Sequence, residues 1–239
     1  MNKNMRKYWI ITYGCQMNHS DSERIASVLE SIGYKEASKE VAEASPHLPP
    51  RLASQGSVNE ADLIVVNMCS VRQSAVDRVF GLTQRLKNLK TKKNNFKTVL
   101  TGCILKENKR KFQKNFDLIL DIKDLPNWPQ YFREKTSVIS RRSPLFDGGC
   151  SYLKIQPKYK NNFSAFVPIM TGCNNFCSYC VVPHTRGREI SRPVEEILCE
   201  AKTLIEKGCK EIWLLGQNVN SYKSRINTNR NSRIFTNKI

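Results

Sequence analysis

Three cysteines, Cys173, Cys177 and Cys180, stand at C-x3-C-x2-C spacing directly after the apolar run 165–170. That run reads as a buried strand, so the triplet sits on a strand-to-loop exit, a good place to hold a metal. Three thiolates is the informative number. A 4Fe–4S cluster usually takes four cysteines, so three would leave one iron open, and an open metal position is where chemistry happens. Tyr179 places an aromatic ring beside the last cysteine. Two plainer readings stand next to this one. His184 follows at C-x2-C-x3-H and could complete a structural zinc knuckle, or two of the thiols could pair and leave the third spare.

A second set of thiols lies upstream. Cys15, Cys69 and Cys103 each follow an apolar run: 7–13, 61–68 and 97–101. Runs of this kind are expected of strands buried on both faces of a parallel sheet. The carboxyl edge of such a sheet forms its ligand crevice. Three strands that each deliver one cysteine to that edge could build a second three-thiolate site. A single buried cysteine would more simply be a small hydrophobe; three in equivalent positions point to ligands.

The elements that must position these groups alternate strand and helix. After the first strand, Ser20-Asp21-Ser22-Glu23 has the form of a capping box. The helix expected after it carries Ile25, Val28, Leu29 and Ile32 on one face and stops at Gly33. Residues 37–57 contain Ser45-Pro46-His47-Leu48-Pro49-Pro50 and no apolar period, so they read as an exposed loop with His47 in solvent. A helix is expected over 71–89, with Val76, Val79, Phe80, Thr83 and Leu86 in phase. Another is expected over 106–116, then a strand over 117–120 and a short helix over 125–135 weakened by Pro126 and Pro129. The pattern is that of an open parallel α/β sheet. No G-x-G-x-x-G is present, so no dinucleotide site is inferred. Residues 136–161 read as a linker, and Cys150 in it as incidental. Beyond the second triplet, Pro193 suits the first turn of a helix that places Ile197, Ala201, Leu204 and Ile205 on one face and ends at Gly208. Cys199 and Cys209 read as core and turn residues, and a further strand with its exit loop covers 211–220.

Composition bounds the partners. Of 239 residues, 39 are Lys or Arg and 21 Asp or Glu, a net charge of +18. Such an excess favours a polyanion, nucleic acid first. A coding bias toward Lys and Asn would give the same figure, and few aromatics interleave with the basic runs. No run of 18 or more apolar residues exists, so no membrane span is expected, and no secretory cleavage site follows the basic N-terminus. Nine cysteines, an odd number mostly standing alone, argue for a reducing, cytoplasmic setting and for metal use over disulfides.

The C-x3-C-x2-C triplet with its aromatic resembles the signature of radical S-adenosylmethionine (SAM) enzymes. In that family SAM chelates the open iron and is cleaved reductively to a deoxyadenosyl radical. Tyr13-Gly14-Cys15-Gln16-Met17-Asn18, Asn67-Met68-Cys69-Ser70-Val71-Arg72 and Thr101-Gly102-Cys103 resemble the three cysteine motifs of the methylthiotransferase N-terminal domain. There they hold an auxiliary 4Fe–4S cluster linked to sulfur donation. The runs 172–183, Arg186-Gly187 and 215–220 are similar to the MiaB-type branch. The resemblance implies two 4Fe–4S clusters, on Cys15, Cys69 and Cys103 and on Cys173, Cys177 and Cys180. It also implies SAM, with Tyr179, Gln217 and Asn218 as candidate contacts. The implied activity inserts sulfur and methyl at C2 of N6-isopentenyladenosine at tRNA position 37, with tRNA as partner and an electron donor such as flavodoxin or ferredoxin. Threonylcarbamoyladenosine in tRNA is the alternative substrate, and an inactive Fe–S or RNA-binding fragment the alternative of another class. The implied division is 7–135 for the auxiliary-cluster domain, 162–222 for a partial radical SAM (β/α) barrel, and 223–239 for a disordered polar tail. The family's barrel has further strand–helix units and a TRAM domain after it, so the chain is expected to be a C-terminally truncated member. The loop 37–57 is longer than the family's usual connection there.

Overall fold

The computed structural model describes residues 5–37, 55–93, 95–133 and 151–223. His47, Cys150, most of the expected loop and linker, and nearly all of the tail lie outside them.

The first half is a five-stranded, all-parallel sheet. β1 (Lys7–Tyr13), β2 (Lys35–Glu36), β3 (Leu63–Cys69), β4 (Lys97–Cys103) and β5 (Leu118–Ile119) run in the order β2-β1-β3-β4-β5. The central strand, β3, is buried at every position, as suits a sequence apolar except for Asn67, whose side chain is hydrogen-bonded. Its side chains alternate between two cores. Leu63 and Val65 pack with α1 (Gln16–Ser31) and Trp128. Ile64, Val66 and Met68 pack with α3 (Gln73–Lys92) and with Phe112 of α4 (Lys106–Phe112). Between β2 and β3 lies the short α2 (Gln55–Glu60), which begins within the last three residues of the expected loop.

Several boundaries differ from expectation. α1 begins at Gln16, so Ser20–Glu23 lies inside it and is not its cap. The cap is Cys15: its backbone and thiol both meet the Asn18 side chain, a capping box built by a thiol. Ser20, Asp21, Ser22 and Arg24 are buried because α1 is covered on its far side by the second half of the chain; Ser20 Oγ donates to the Phe166 carbonyl. α3 runs to Lys92, three residues past the expected end, and Phe80 on it is half exposed, its ring 4.4 Å from that of Phe112. The expected helix over 125–135 is a 3-10 turn, Ile122–Asn127, then α5 (Trp128–Arg133). Pro126 removes a backbone donor, which favours the tighter turn.

The expected linker is described from Ser151, and there it is packed. Tyr152 and Leu153, in a 3-10 turn (Ser151–Lys154), join the β1-side core. The second half then offers β6 (Ser164–Pro168) parallel to β9 (Glu211–Leu215), β7 (Met170–Thr171) antiparallel to β8 (Ile190–Ser191), α6 (Val182–Thr185) and α7 (Val194–Glu206). Ala165, Val167, Ile197 and Leu204 form its small core. Among the described residues no helix is long and apolar enough to cross a membrane.

Candidate metal centres

Strand register builds the first site. Cys69 and Cys103 end β3 and β4 and are paired across the two strands; Cys15 follows β1 as the cap of α1. The three thiols are neighbours, with Cys69 between Cys15 and Cys103 and acting on both. The row polarises its members. Contact with Cys69 is the main reason Cys15 is lowered to about 5, burial opposing. The same contact is the main reason Cys103 is lowered to about 7, again against burial and with help from Arg186. Cys69 is pushed up by Cys103, by Cys15 and by burial. Two of three thiols are thus held toward the thiolate form that a metal needs.

Buried polar side chains fix the row from behind. Asn18 Nδ2 donates to Asn67 Oδ1 at 2.9 Å, and Asn67 Nδ2 donates to the Asn18 carbonyl at 2.8 Å and to Ser22 Oγ at 3.0 Å. This pair ties the first cysteine loop to the second. Ser70 ties the second to the third: its N–H donates to the Cys103 carbonyl at 2.8 Å, while its Oγ accepts from Leu105 N–H and Asn108 Nδ2. Gly102 has φ +106°, and a Cβ there would stand 2.3 Å from the Met68 carbonyl oxygen. Only glycine allows β4 to approach β3 so closely just before Cys103. A cleft of about 300 Å3 opens beside Cys15, lined by Gly14, Gln16, His19, Arg72 and Phe166.

The second triplet is held by loop hydrogen bonds. Cys173 N–H donates to the Gly187 carbonyl at 3.1 Å, Cys180 N–H to the Cys177 carbonyl at 3.0 Å, and Glu189 N–H to Asn174 Oδ1 at 3.1 Å. Gly172 (φ +80°) lies so near the Arg188 carbonyl that a Cβ would be 2.0 Å from its oxygen. Cys173 is buried, Cys180 partly so and Cys177 exposed. Arg188 lies over the ring of Phe176 at 5.3 Å. His184 is exposed and faces that ring. Among the described residues no group of three or more His, Cys, Asp and Glu, neither cysteine set included, is drawn together around a single metal position.

Of the candidate SAM contacts, Tyr179 is 88% exposed on the loop. Gln217 and Asn218 follow β9 and are partly buried, and Gln217 Oε1 is buried without a partner among the described residues, a polar atom that a ligand could satisfy. Cys209 is buried in the second core, and Cys199 is exposed on α7.

Arg186, Asp21 and Tyr152 were not legible as site residues. Arg186 lies just past α6 and reaches into the first half. Its Nε donates to Cys103 Sγ at 2.9 Å, Nη1 to the Tyr152 hydroxyl at 3.2 Å and Nη2 to Asp21 Oδ2 at 2.6 Å. Burial opposes its charge, but Asp21, Cys103 and Tyr152 outweigh that and keep the guanidinium charged. Only the Arg186-Gly187 pair in the sequence marked the position at all.

Comparison with known proteins places both halves of the chain. Residues 7–48 and 51–121 match the model of uncharacterized protein family UPF0004, and residues 167–228 that of the radical SAM superfamily. Curated relatives are described as tRNA-2-methylthio-N(6)-dimethylallyladenosine synthases. The protein of Dictyoglomus thermophilum is 39% identical over 91% of this chain and 46% of its own length. That of Clostridioides difficile is 40% identical over 88% and 42%, and that of Syntrophomonas wolfei 42% over 90% and 45%. The chain therefore spans less than half the length of these relatives. Over that span it carries both cysteine motif sets in the order and spacing described above, and it belongs to the radical SAM methylthiotransferase family, on its MiaB-type branch.

Proposed function

We propose that this chain supplies the auxiliary-cluster domain (7–135) and the first part of the radical SAM barrel (162–222) of a tRNA methylthiotransferase acting at C2 of N6-dimethylallyladenosine at position 37. The observation that carries the reading is the row of Cys15, Cys69 and Cys103 at one sheet edge, backed by the loop of the second triplet. Bound there, two 4Fe–4S clusters and SAM supply the hard chemistry, radical generation and sulfur and methyl transfer. The residues do the rest. Cys173, Cys177 and Cys180 hold one cluster and leave an iron open; Cys15, Cys69 and Cys103 hold the other. Tyr179, Gln217 and Asn218 contact SAM. The Asn18–Asn67 pair and Ser70 keep the first three sulfurs in place during turnover.

Exposed Lys106, Arg110, Lys111 and Lys114 on and after α4 face solvent on the α3 side of the sheet and hold tRNA phosphates in a salt-dependent way. A small electron-transfer protein of the flavodoxin or ferredoxin kind delivers the electron. The test is expression in a bacterium lacking its own enzyme, followed by mass spectrometry of tRNA nucleosides. The 2-methylthio product of the dimethylallyl nucleoside is expected. A methylthio group on threonylcarbamoyladenosine would replace the substrate in this reading. Anaerobically loaded chain that binds iron without cleaving SAM would make it a cluster-holding fragment.

A further inference from the structure

We propose that Arg186 is a positioning residue for the Cys15/Cys69/Cys103 site: it holds the Cys103 sulfur from the opposite half of the chain and raises the reduction potential of the cluster bound there. This rests on the reading of those three cysteines as cluster ligands.

The contact is built, not incidental. Arginine offers five N–H donors in a fixed planar fork. Here Asp21 Oδ2 accepts from Nη2, the Tyr152 hydroxyl accepts from Nη1, and the only hydrogen on Nε points to Cys103 Sγ at 2.9 Å. Three partners pin the plane, so the Nε–H has no freedom to turn from the sulfur. All four groups are buried: Arg186 is 2% exposed, and Asp21, Tyr152 and Cys103 lie between 0% and 6%. Water therefore does not compete, and the hydrogen bond acts at low local dielectric. Asp21 balances part of the guanidinium charge, but it is the Arg186 Nε–H that touches the sulfur.

The backbone carries the same connection. Arg186 N–H donates to the Val182 carbonyl at 2.7 Å, and its neighbour Gly187 accepts from Cys173 N–H. One short segment thus anchors the second cysteine loop and contacts a thiol of the first site. Adding an electron makes a cluster more negative. A charged donor on a ligand sulfur favours that reduced state, and hydrogen bonds to sulfur are one of the levers that set cluster potentials.

The experiment starts from the full chain with Cys173, Cys177 and Cys180 changed to Ala, so that only the first site loads iron. Arg186→Gln and Arg186→Lys are made in it, and Glu200→Gln serves as a control that loosens the same interface without touching a cysteine. Each is reconstituted anaerobically and titrated against viologen dyes of known potential, with cluster reduction followed by electron paramagnetic resonance. The expected result is unchanged iron content with the reduced-to-oxidised ratio at fixed dye potential down about tenfold in Arg186→Gln, 59 mV for a one-electron couple. Arg186→Lys keeps a charge opposite Asp21 but lacks the fork, and it is expected to fall in the same direction; it carries the test if the Gln variant does not fold. Parent potential in the folded, iron-loaded Arg186 variants overturns the proposal and leaves the ligand assignment standing. So does an equal shift in Glu200→Gln. A parent that binds no iron overturns the ligand assignment and the proposal with it.

Discussion

The two halves of this chain hold their cysteines by different means. In the first, three thiols end or follow buried parallel strands, and sheet register sets their spacing. In the second, all three lie on one loop, set by a few backbone hydrogen bonds and a glycine. The sheets differ in the same way. β3 is buried along its whole length, whereas β9 leaves Trp213 and Leu214 49% and 55% exposed. A site built on strands comes with the fold and fails with it. A site built on a loop can be altered while the fold stays intact.

That difference can be broken or sharpened by substitution. The largest effect is expected for Gly102→Ala. It combines a side chain at positive φ with a clash against the β3 backbone, together about 4 kcal/mol. Chemical denaturation should show the loss, and iron binding at the first site should fall with it. Next is Glu200→Gln. Its carboxylate is buried between Arg24 of α1 at 3.3 Å and Arg192 at 2.7 Å, and Tyr159 also donates to it. Neutralising it leaves two buried cations short of a partner, at about 3 kcal/mol. Limited proteolysis between the halves should accelerate.

Glu23 gives a pH-dependent test of the same interface. Burial raises it from 4.5 to about 7, and its Oε2 has no partner among the described residues. The folded state then binds more protons than the unfolded state between those values, so stability falls as pH rises from about 4.5 to 7 and stays lowered above. Glu23→Gln should therefore gain about 1–2 kcal/mol at pH 8, after allowance for partial exposure, and almost nothing at pH 4; thermal melts at both values check it. The smallest effect is expected at the open sheet edge. Trp213→Ser should change stability by less than about 0.5 kcal/mol while reducing self-association measured by light scattering.

How much the sequence disclosed follows the same division. β1, β3 and β4 were legible because strands buried on both faces need continuous apolar runs, and Cys15, Cys69 and Cys103 stand where those runs stop. The start of α1 was not, because a thiol with Asn18 does the capping that Ser20 and Glu23 advertised. Ser20 is buried and Glu23 partly buried against later segments, in contacts made by residues far apart in sequence. Arg186 was missed for that reason too: its partners Cys103 and Asp21 lie 83 and 165 positions away. Local pattern reports periodicity and caps; it is silent on which buried charges will meet.

On the proposed function, two separate cysteine sets hold two separate clusters. Iron counting with Mössbauer spectroscopy on anaerobically reconstituted chain tests it most directly. About eight irons per chain are expected, about four after Cys15, Cys69 and Cys103 are all changed to Ala, and about four after Cys173, Cys177 and Cys180 are. Retention of the full parental iron when the first three are removed would contradict it.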